Sequence, residues 1–387
     1  MPTSRRVGGL LETVIVCEKE LGVGITVAIE PCPEPQVLAD LWRSLEDSAD
    51  GSFFLSWSWI GAVIACFGPP AALVVARRHG EVVGLGLLGR RDRCGWDVLR
   101  TPSLHLNESG RPDCDAVMIE YNGLLARRGD EGAVAVALLR ALTGRGGPPW
   151  RELHLSGVGP EAAEHCRGQG LAMRVLKHHV APYVDLGGTD PLEALSRNAR
   201  QQIRRSLRLY EERGPLTLDR AADVAEAWAW LDDLACAHTK AWQARGLPGA
   251  FANPHFRPFH RWLIADGFSA GAIDLLRVRA GGETIGMLYN FRHRGMAYSY
   301  QSGFRYEADE RLKPGLVSHV LALRRYHGEG LSTYRLLAGD SRYKNTLATG
   351  KDDLLWLVAH RRDLPHGLEA VARRLVSAVR RKAPHTP

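Results

Sequence analysis

The stretch from Ala297 to Lys344 holds the densest set of groups that could do chemistry. Tyr298, Tyr300 and Ser302 alternate with Ser299, Gln301 and Gly303 in a segment of strand character, which puts hydroxyls and an amide on both faces of one strand. Polar groups taken out of water need partners, and a buried ligand would supply them. The loop that follows, Tyr306 to Gly315, sets Arg311 and Lys313 just ahead of Pro314, a residue suited to the first position of a helix. Free amide N–H groups, the positive end of a helix dipole and two cations would converge there, a seat for phosphate or pyrophosphate. An ordinary charged loop would carry the same residues. Arg197, Arg200, Arg204 and Arg208 fall at helical spacing beside an apolar stripe, either a rake for a phosphorylated ligand or a solvated helix face. The stretch closes on Gly339-Asp340-Ser341-Arg342-Tyr343-Lys344.

A second polar group stands much earlier. Glu120, Tyr121 and Asn122, followed by Gly123, interrupt Val117 to Leu125, a run that reads as an apolar strand. A carboxylate, a phenol and an amide in a buried strand are costly without partners, so they are expected to face a cleft or a domain interface and bind an acceptor, or else to form a structural hydrogen-bond network. Tyr289 and Asn290 hold the comparable place on a later hairpin and are expected to face the same cleft.

What must position these residues is a duplicated scaffold. Leu73 to Leu88 (LVVARRHGEVVGLGLL) and Leu275 to Leu288 (LLRVRAGGETIGML) are two versions of one hairpin, and Glu81 and Gly84 recur as Glu283 and Gly286, each 202 positions later. Each copy is an apolar run, a glycine-containing turn, a Glu and a second apolar run. Two similar domains are therefore expected, 1–181 and 182–363, joined through the turn residues of Pro182 to Pro191, with a basic C-terminal helix and tail over 364–387. The fold class expected is α/β in the α+β sense, each domain a mixed, mostly antiparallel sheet flanked by helices. Helices are expected over Pro35 to Ser48, Gly132 to Leu142, Pro191 to Arg213, Val224 to Arg245, Phe259 to Ala265 and Gly315 to Tyr326. Strands are expected at Trp96 to Leu99, Leu153 to Leu155, Tyr334 to Leu337 and Leu354 to His360.

Composition narrows the class. The 387 residues are 45% hydrophobic and 24% charged with a net charge of +7, which describes a globular chain whose mildly basic surface favours an anionic partner. The seven scattered cysteines contain no C-x-x-C pair and read as free thiols in a reducing compartment. With no clean signal peptide and no run long enough to span a membrane, a cytoplasmic location is expected. The basic tail could touch an anionic membrane surface weakly, although packing on its own domain is the favoured reading. Gly84, Gly86 and Gly89 spell G-x-G-x-x-G inside a predicted strand, where the dinucleotide fingerprint cannot operate. His178 and His179 would point to opposite faces. No metal site is expected, and no P-loop, H-E-x-x-H or G-x-S-x-G is present.

The order hairpin, polar strand, phosphate-facing helix start and following strand resembles the GNAT acyltransferase fold. The tandem copy, the basic helix SRNARQQIRRSLR over Ser196 to Arg208 and the terminal G-D-x-x-Y-K resemble the BioF2-like or CelD-like acetyltransferases, relatives of the FemAB peptidyltransferases. The likeness covers roughly Phe53 to Leu357. It implies acetyl-CoA as acyl donor, held by the second domain through Arg311, Lys313, Gly315, Tyr300, Gln301 and Arg204. One departure stands out. The family's phosphate loop is written R/Q-x-x-G-x-G/A, whereas this chain has Arg311-Leu312-Lys313-Pro314-Gly315-Leu316. Direct transfer to an amine or hydroxyl needs a base, oxyanion donors and an acid for the leaving thiolate. Asp340 is assigned as base or acceptor-orienting group, Tyr343 as proton donor and Lys344 as the cation for phosphate or oxyanion. Glu120, Tyr121, Asn122, Tyr289 and Asn290 are assigned to a small-molecule or sugar acceptor, which the resemblance connects with exopolysaccharide or cellulose. DNA is not an expected partner. The competing readings are FemAB-like transfer from charged tRNA, which lacks a basic arm here, and an inactive binding module of the same fold.

Overall fold

The computed structural model describes residues 15–17, 24–93, 101–188, 190–339 and 341–361. In chain order the first half runs β1 (Ile15–Cys17), β2 (Ile25–Glu30), α1 (Pro35–Glu46), a 3-10 turn at Phe53–Leu55, α2 (Trp57–Phe67), β3 (Ala72–Arg78), β4 (Glu81–Arg93), β5 (Thr101–Leu106), α3 (Pro112–Asp115), β6 (Leu125–Ala126), α4 (Glu131–Thr143), β7 (Glu152–Val158), α5 (Pro160–Gly168) and β8 (Ala172–Asp185). The second half runs α6 (Arg197–Glu211), β9 (Leu216–Arg220), α7 (Val224–Gln243), a 3-10 turn at Ala250–Ala252, α8 (Phe256–Gly267), β10 (Ile273–Ala280), β11 (Glu283–His293), β12 (Met296–Phe304), α9 (Pro314–Gly328), β13 (Thr333–Arg335), α10 (Arg342–Leu347) and β14 (Gly350–His360).

Local chemistry explains where the helices begin. The Ser196 side chain accepts from Ala199 N–H at the start of α6, Asp223 does the same for Glu226 N–H at α7, and Pro314 occupies the first turn of α9. The two hairpins are the same object. Arg78 pairs with Glu81 and Ala280 with Glu283, and the register slips after Ala76 in one copy and after Val278 in the other, so the offset of 202 holds through turn and bulge. Their turns have positive φ at both central positions, 50° and 86° at His79 and Gly80, 57° and 86° at Gly281 and Gly282, the two-residue geometry that suits strand twist.

The strands form one sheet in the order β1-β2-β3-β4-β5-β7-β14-β8-β13-β12-β11-β10-β9, with β6 beside β4. Its centre is an exchange. The last strand of the second half, β14, pairs with β7 of the first, and the last strand of the first half, β8, pairs with β13 of the second. β8 and β14 also pair with each other along Gly350 to His360. The chain crosses position 182 inside β8, so the two halves join within a strand.

Three cores result. One lies in the second half, and one in the first half is completed by Leu357 and Ala359 of β14. The third is shared, bringing Trp42, Phe53, Phe54 and Trp59 against Phe259, Tyr289, Phe291 and Tyr300. Phe53 and Phe291 stack with ring centroids 4.2 Å apart. Each fully buried aromatic contributes about 1.5–3 kcal/mol through removal from water.

The region read as a strand over Val117 to Leu125 is a correction. Only Leu125–Ala126 is strand, and 117–124 is irregular with positive φ at Met118 (60°) and Tyr121 (49°). Alternation of apolar residues cannot distinguish a strand from a loop pinned at several buried points. The strand expected at Trp96 to Leu99 and the tail over 364–387 lie outside the described residues.

Candidate active site

In the second half, β12 and β13 run parallel but pair only over Met296–Tyr298 with Thr333–Arg335. Beyond that, β12 continues to Phe304 while the chain after Arg335 turns away through Leu337, whose φ is 61°. The strands part. On its other side β12 is bulged, with Gln301 opposite Tyr289 and Ser299 opposite Asn290, leaving Tyr300 as the extra residue. A bulge turns backbone groups out of the ladder, and this one lies beside the opening.

α9 begins near the far end of β12. The Phe304 ring lies so close to Gly315 that a Cβ there would meet it at 3.1 Å, so a larger residue would push ring and helix start apart by a few tenths of an ångström. No side chain caps the first turn of α9, and its free N–H groups carry the positive end of the dipole. Lys313 is tied to α6, its N–H donating to Ser206 Oγ at 2.9 Å and its Nζ to Gln202 Oε1 at 2.6 Å. Arg204 is exposed on the same helix, two residues from both Gln202 and Ser206 and so off the face that holds Lys313. Arg311 is held by Asp309 through both carboxylate oxygens at 2.7–2.9 Å. That pairing keeps the Asp309 carboxyl down at about 2.

α10 carries the next two groups. The Tyr343 ring stacks on His319 of α9 at 4.5 Å and meets Phe304 edge-on. Burial pushes its phenol up to about 12, while the Ser341 and Ser302 hydroxyls beside it pull the other way. It therefore stays protonated at neutral pH. Lys344 Nζ donates to the carbonyls of Ala338 and Leu337 at 2.7 and 3.1 Å. Burial lowers its ammonium to about 8 against the opposing pull of Glu120. Asp340, between these groups in sequence, lies outside the described residues.

Glu120 arrives from the first half. Its Oε2 accepts from Ala338 N–H at 2.8 Å, on the loop that Lys344 clasps from its carbonyl side. Burial raises the Glu120 carboxyl above its ordinary range, opposed by the Ala338 N–H and by Lys344. Carboxylate, buried ammonium and phenol thus gather where β12 and β13 part. Beside them Tyr121 donates to Asp352 Oδ2 at 3.0 Å and lies against the Arg335 guanidinium, and Arg335 is ion-paired to the same Asp352.

Among the described residues the first half shows no open counterpart. There β5 and β7 pair in parallel over Ser103–His105 with Glu152–His154, but segment 117–124 bridges the two strands beyond. Asn122 donates from its backbone to Gly157 O at 2.9 Å and from Nδ2 to Leu106 O at 2.9 Å. Asn107 fixes it further through a 2.9 Å bond to Asn122 Oδ1. At Gly157, with φ 65°, a Cβ would meet Ile119 O at 2.7 Å. The inserted segment both fills this gap and presents Glu120 and Tyr121 to the other half.

The remaining assigned residues divide. Tyr300 donates to Val117 O, linking the bulge to the inserted segment, and Gln301 is buried beside it. Tyr289 meets His260 Nδ1 at 3.2 Å within the shared core. Asn290 belongs to the α9 side of the sheet and bonds Tyr326 and Tyr334 at 2.9 and 3.4 Å. These neighbours on the strand therefore do not share one cleft. His319 was not singled out from sequence. Its place in the middle of an amphipathic helix gives no sign that it will lie under Tyr343.

Residues 197–345 match the family model described as an acetyltransferase (GNAT) domain. The second half is thus similar to GNAT acetyltransferase domains. Over the whole chain the fold is similar to that of several solved structures. FemX is similar with a TM-score of 0.58 at 11% identity, covering 86% of this chain and 97% of FemX. The C-terminal DUF2156 domain of a lysylphosphatidylglycerol synthetase candidate from Agrobacterium fabrum gives 0.52 at 12% identity, over 89% and 98%. A conserved protein of unknown function from Bacteroides thetaiotaomicron gives 0.50 at 10% identity, over 84% and 97%. At these identities the likeness is one of fold. No curated protein matches the chain by sequence. No helix among the described residues is long and apolar enough to cross a membrane.

Proposed function

We propose that the GNAT half transfers an acyl group, acetyl in the first instance, from an acyl-CoA thioester directly to an amine or hydroxyl of a small-molecule acceptor bound against segment 117–124. The observation that carries this reading is the parting of β12 and β13, open in the second half and filled by the protein's own chain in the first. The donor's pantetheine arm would lie along β12, with backbone N–H groups at the Tyr300 bulge and Gln301 available to the thioester carbonyl. Its phosphates would lie toward the start of α9, with Lys313 and an Arg311 released from Asp309 around them.

In the reaction the acceptor's lone pair attacks the thioester carbon, forming a C–N or C–O bond. The C–S bond breaks as the tetrahedral intermediate collapses. Glu120 takes the acceptor proton, burial making its carboxylate a stronger base than an exposed one. Tyr343 delivers a proton to the departing thiolate. Lys344, held by the Leu337 and Ala338 carbonyls, supports the negative charge that develops beside it. Asp340 keeps the role its sequence position suggests, orienting the acceptor.

The test is incubation of the chain with acetyl-CoA and a metabolite extract, following acetylated products by mass spectrometry and release of free CoA. Product formation that disappears in Glu120→Gln supports the reading; no product and no protection of the fold by acetyl-CoA overturns it. A second reading, aminoacyl transfer from charged tRNA, is favoured by the exposed Arg197, Arg204, Arg205 and Arg208 on α6 and by the likeness to FemX. Salt-sensitive binding of tRNA without binding of CoA would select it.

A further inference from the structure

His105 at the end of β5, Glu108 beyond it and Asp115 at the end of α3 bring three ligand atoms within 4.8 Å of one another. His105 is buried, 8% exposed. A serine orients each member. Ser103 Oγ lies 3.0 Å from His105 Nε2, Ser156 Oγ donates to Glu108 Oε2 at 2.8 Å, and the hydroxyl and backbone N–H of Ser109 both reach Asp115 Oδ1 at 2.8 Å. Each carboxylate keeps a second oxygen. Glu108 and Asp115 also line, with Asn107, Trp59 and Phe67, a small cavity with room for a single water-sized occupant, whose lining does not include His105.

We propose that His105, Glu108 and Asp115 bind one divalent first-row cation, zinc or manganese, which ties α3 to the end of β5. One imidazole and two carboxylates form a donor set these ions accept. Hydroxyls on the outer atoms of the ligands are the arrangement that fixes ligand orientation. A cation would also offset the repulsion between two neighbouring half-buried carboxylates. From Asp115 the chain runs directly into Met118 and Glu120, so the bound ion would hold the segment that carries the proposed base. That consequence rests on the acyl-transfer reading; the binding itself does not.

The full chain, stripped with chelator, is titrated with zinc chloride or manganese chloride, and bound metal and thermal midpoint are measured after dialysis. One equivalent per chain and a midpoint raised by several degrees are expected. Glu108→Gln and Asp115→Asn should each abolish both effects, while their metal-free forms melt at or above the metal-free parent because carboxylate repulsion is relieved. Failure to retain a stoichiometric ion overturns the site. So does binding that survives both substitutions but is lost in His255→Gln, which would move the ion to Asp113, Cys114 and His255.

Discussion

The Glu120 carboxylate accepts a 2.8 Å hydrogen bond from the Ala338 backbone N–H, joining residues 218 positions apart in the chain. The bond fixes the loop after β13 from the opposite half of the molecule. It also brings a carboxylate of raised pKa beside Lys344. Glu120→Gln keeps the shape and the hydrogen bond to Ala338 while removing the base. Its kcat should fall by about 10²–10⁴-fold, with acetyl-CoA still protecting the fold against heat. Unchanged turnover would remove Glu120 from the mechanism.

The pH dependence of kcat/KM should be bell-shaped. Its rising limb comes from ionisation of Glu120 and lies above the ordinary carboxylate range because burial raises that group. Its falling limb comes from loss of the Lys344 ammonium near 8. Lys344→Arg should carry the falling limb upward. Stability moves oppositely: between about 8 and the ordinary lysine value of 10.5 the unfolded chain binds the proton that the folded Lys344 has lost, so the unfolding free energy rises with pH across that window. Rate profiles and urea melts at matched pH check both signs.

Tyr343→Phe preserves the stack on His319 at 4.5 Å and deletes only the proton donor. We expect kcat to drop by roughly 10²-fold with KM for the donor little changed. Pre-steady-state release of CoA reports the step directly. A fall in donor affinity alone would make Tyr343 a packing residue.

Because segment 117–124 fills the gap between β5 and β7, the chain should bind one acyl-CoA. Isothermal titration or equilibrium dialysis with CoA should give a single equivalent. Two equivalents would mean that the Asn122 bridge to Leu106 and Gly157 opens.

The shared aromatic core makes the two halves one cooperative unit. Phe53→Ala removes a ring stacked 4.2 Å from Phe291, both fully buried, and should cost about 3–5 kcal/mol. Urea unfolding followed by fluorescence and by circular dichroism should give coincident curves in parent and variant. Two separated transitions would contradict the exchange of β8 and β14.

The sequence by itself determined the features set by near neighbours. The duplicated hairpin, even to its offset of 202, follows from strand alternation and positive-φ turn residues. The starts of α7 and α9 follow from Asp223 and Pro314, whose capping or fixed φ acts within one turn, whereas the helix expected from Pro191 begins only at Arg197, behind the Ser196 cap. The polar character of β12, and the grouping of Tyr343 with Lys344, could be read in the same way. Tertiary structure alone decided that Val117 to Leu124 would leave strand geometry, because its conformation answers to Leu106, Gly157 and Ala338 rather than to its own pattern. It alone decided that β8 and β14 would change places, since edge strands choose partners by the faces they bury and the backbone bonds they complete. The meeting of Glu120 with Ala338 and Lys344 depends on both choices, and no local periodicity records a contact made across half the chain.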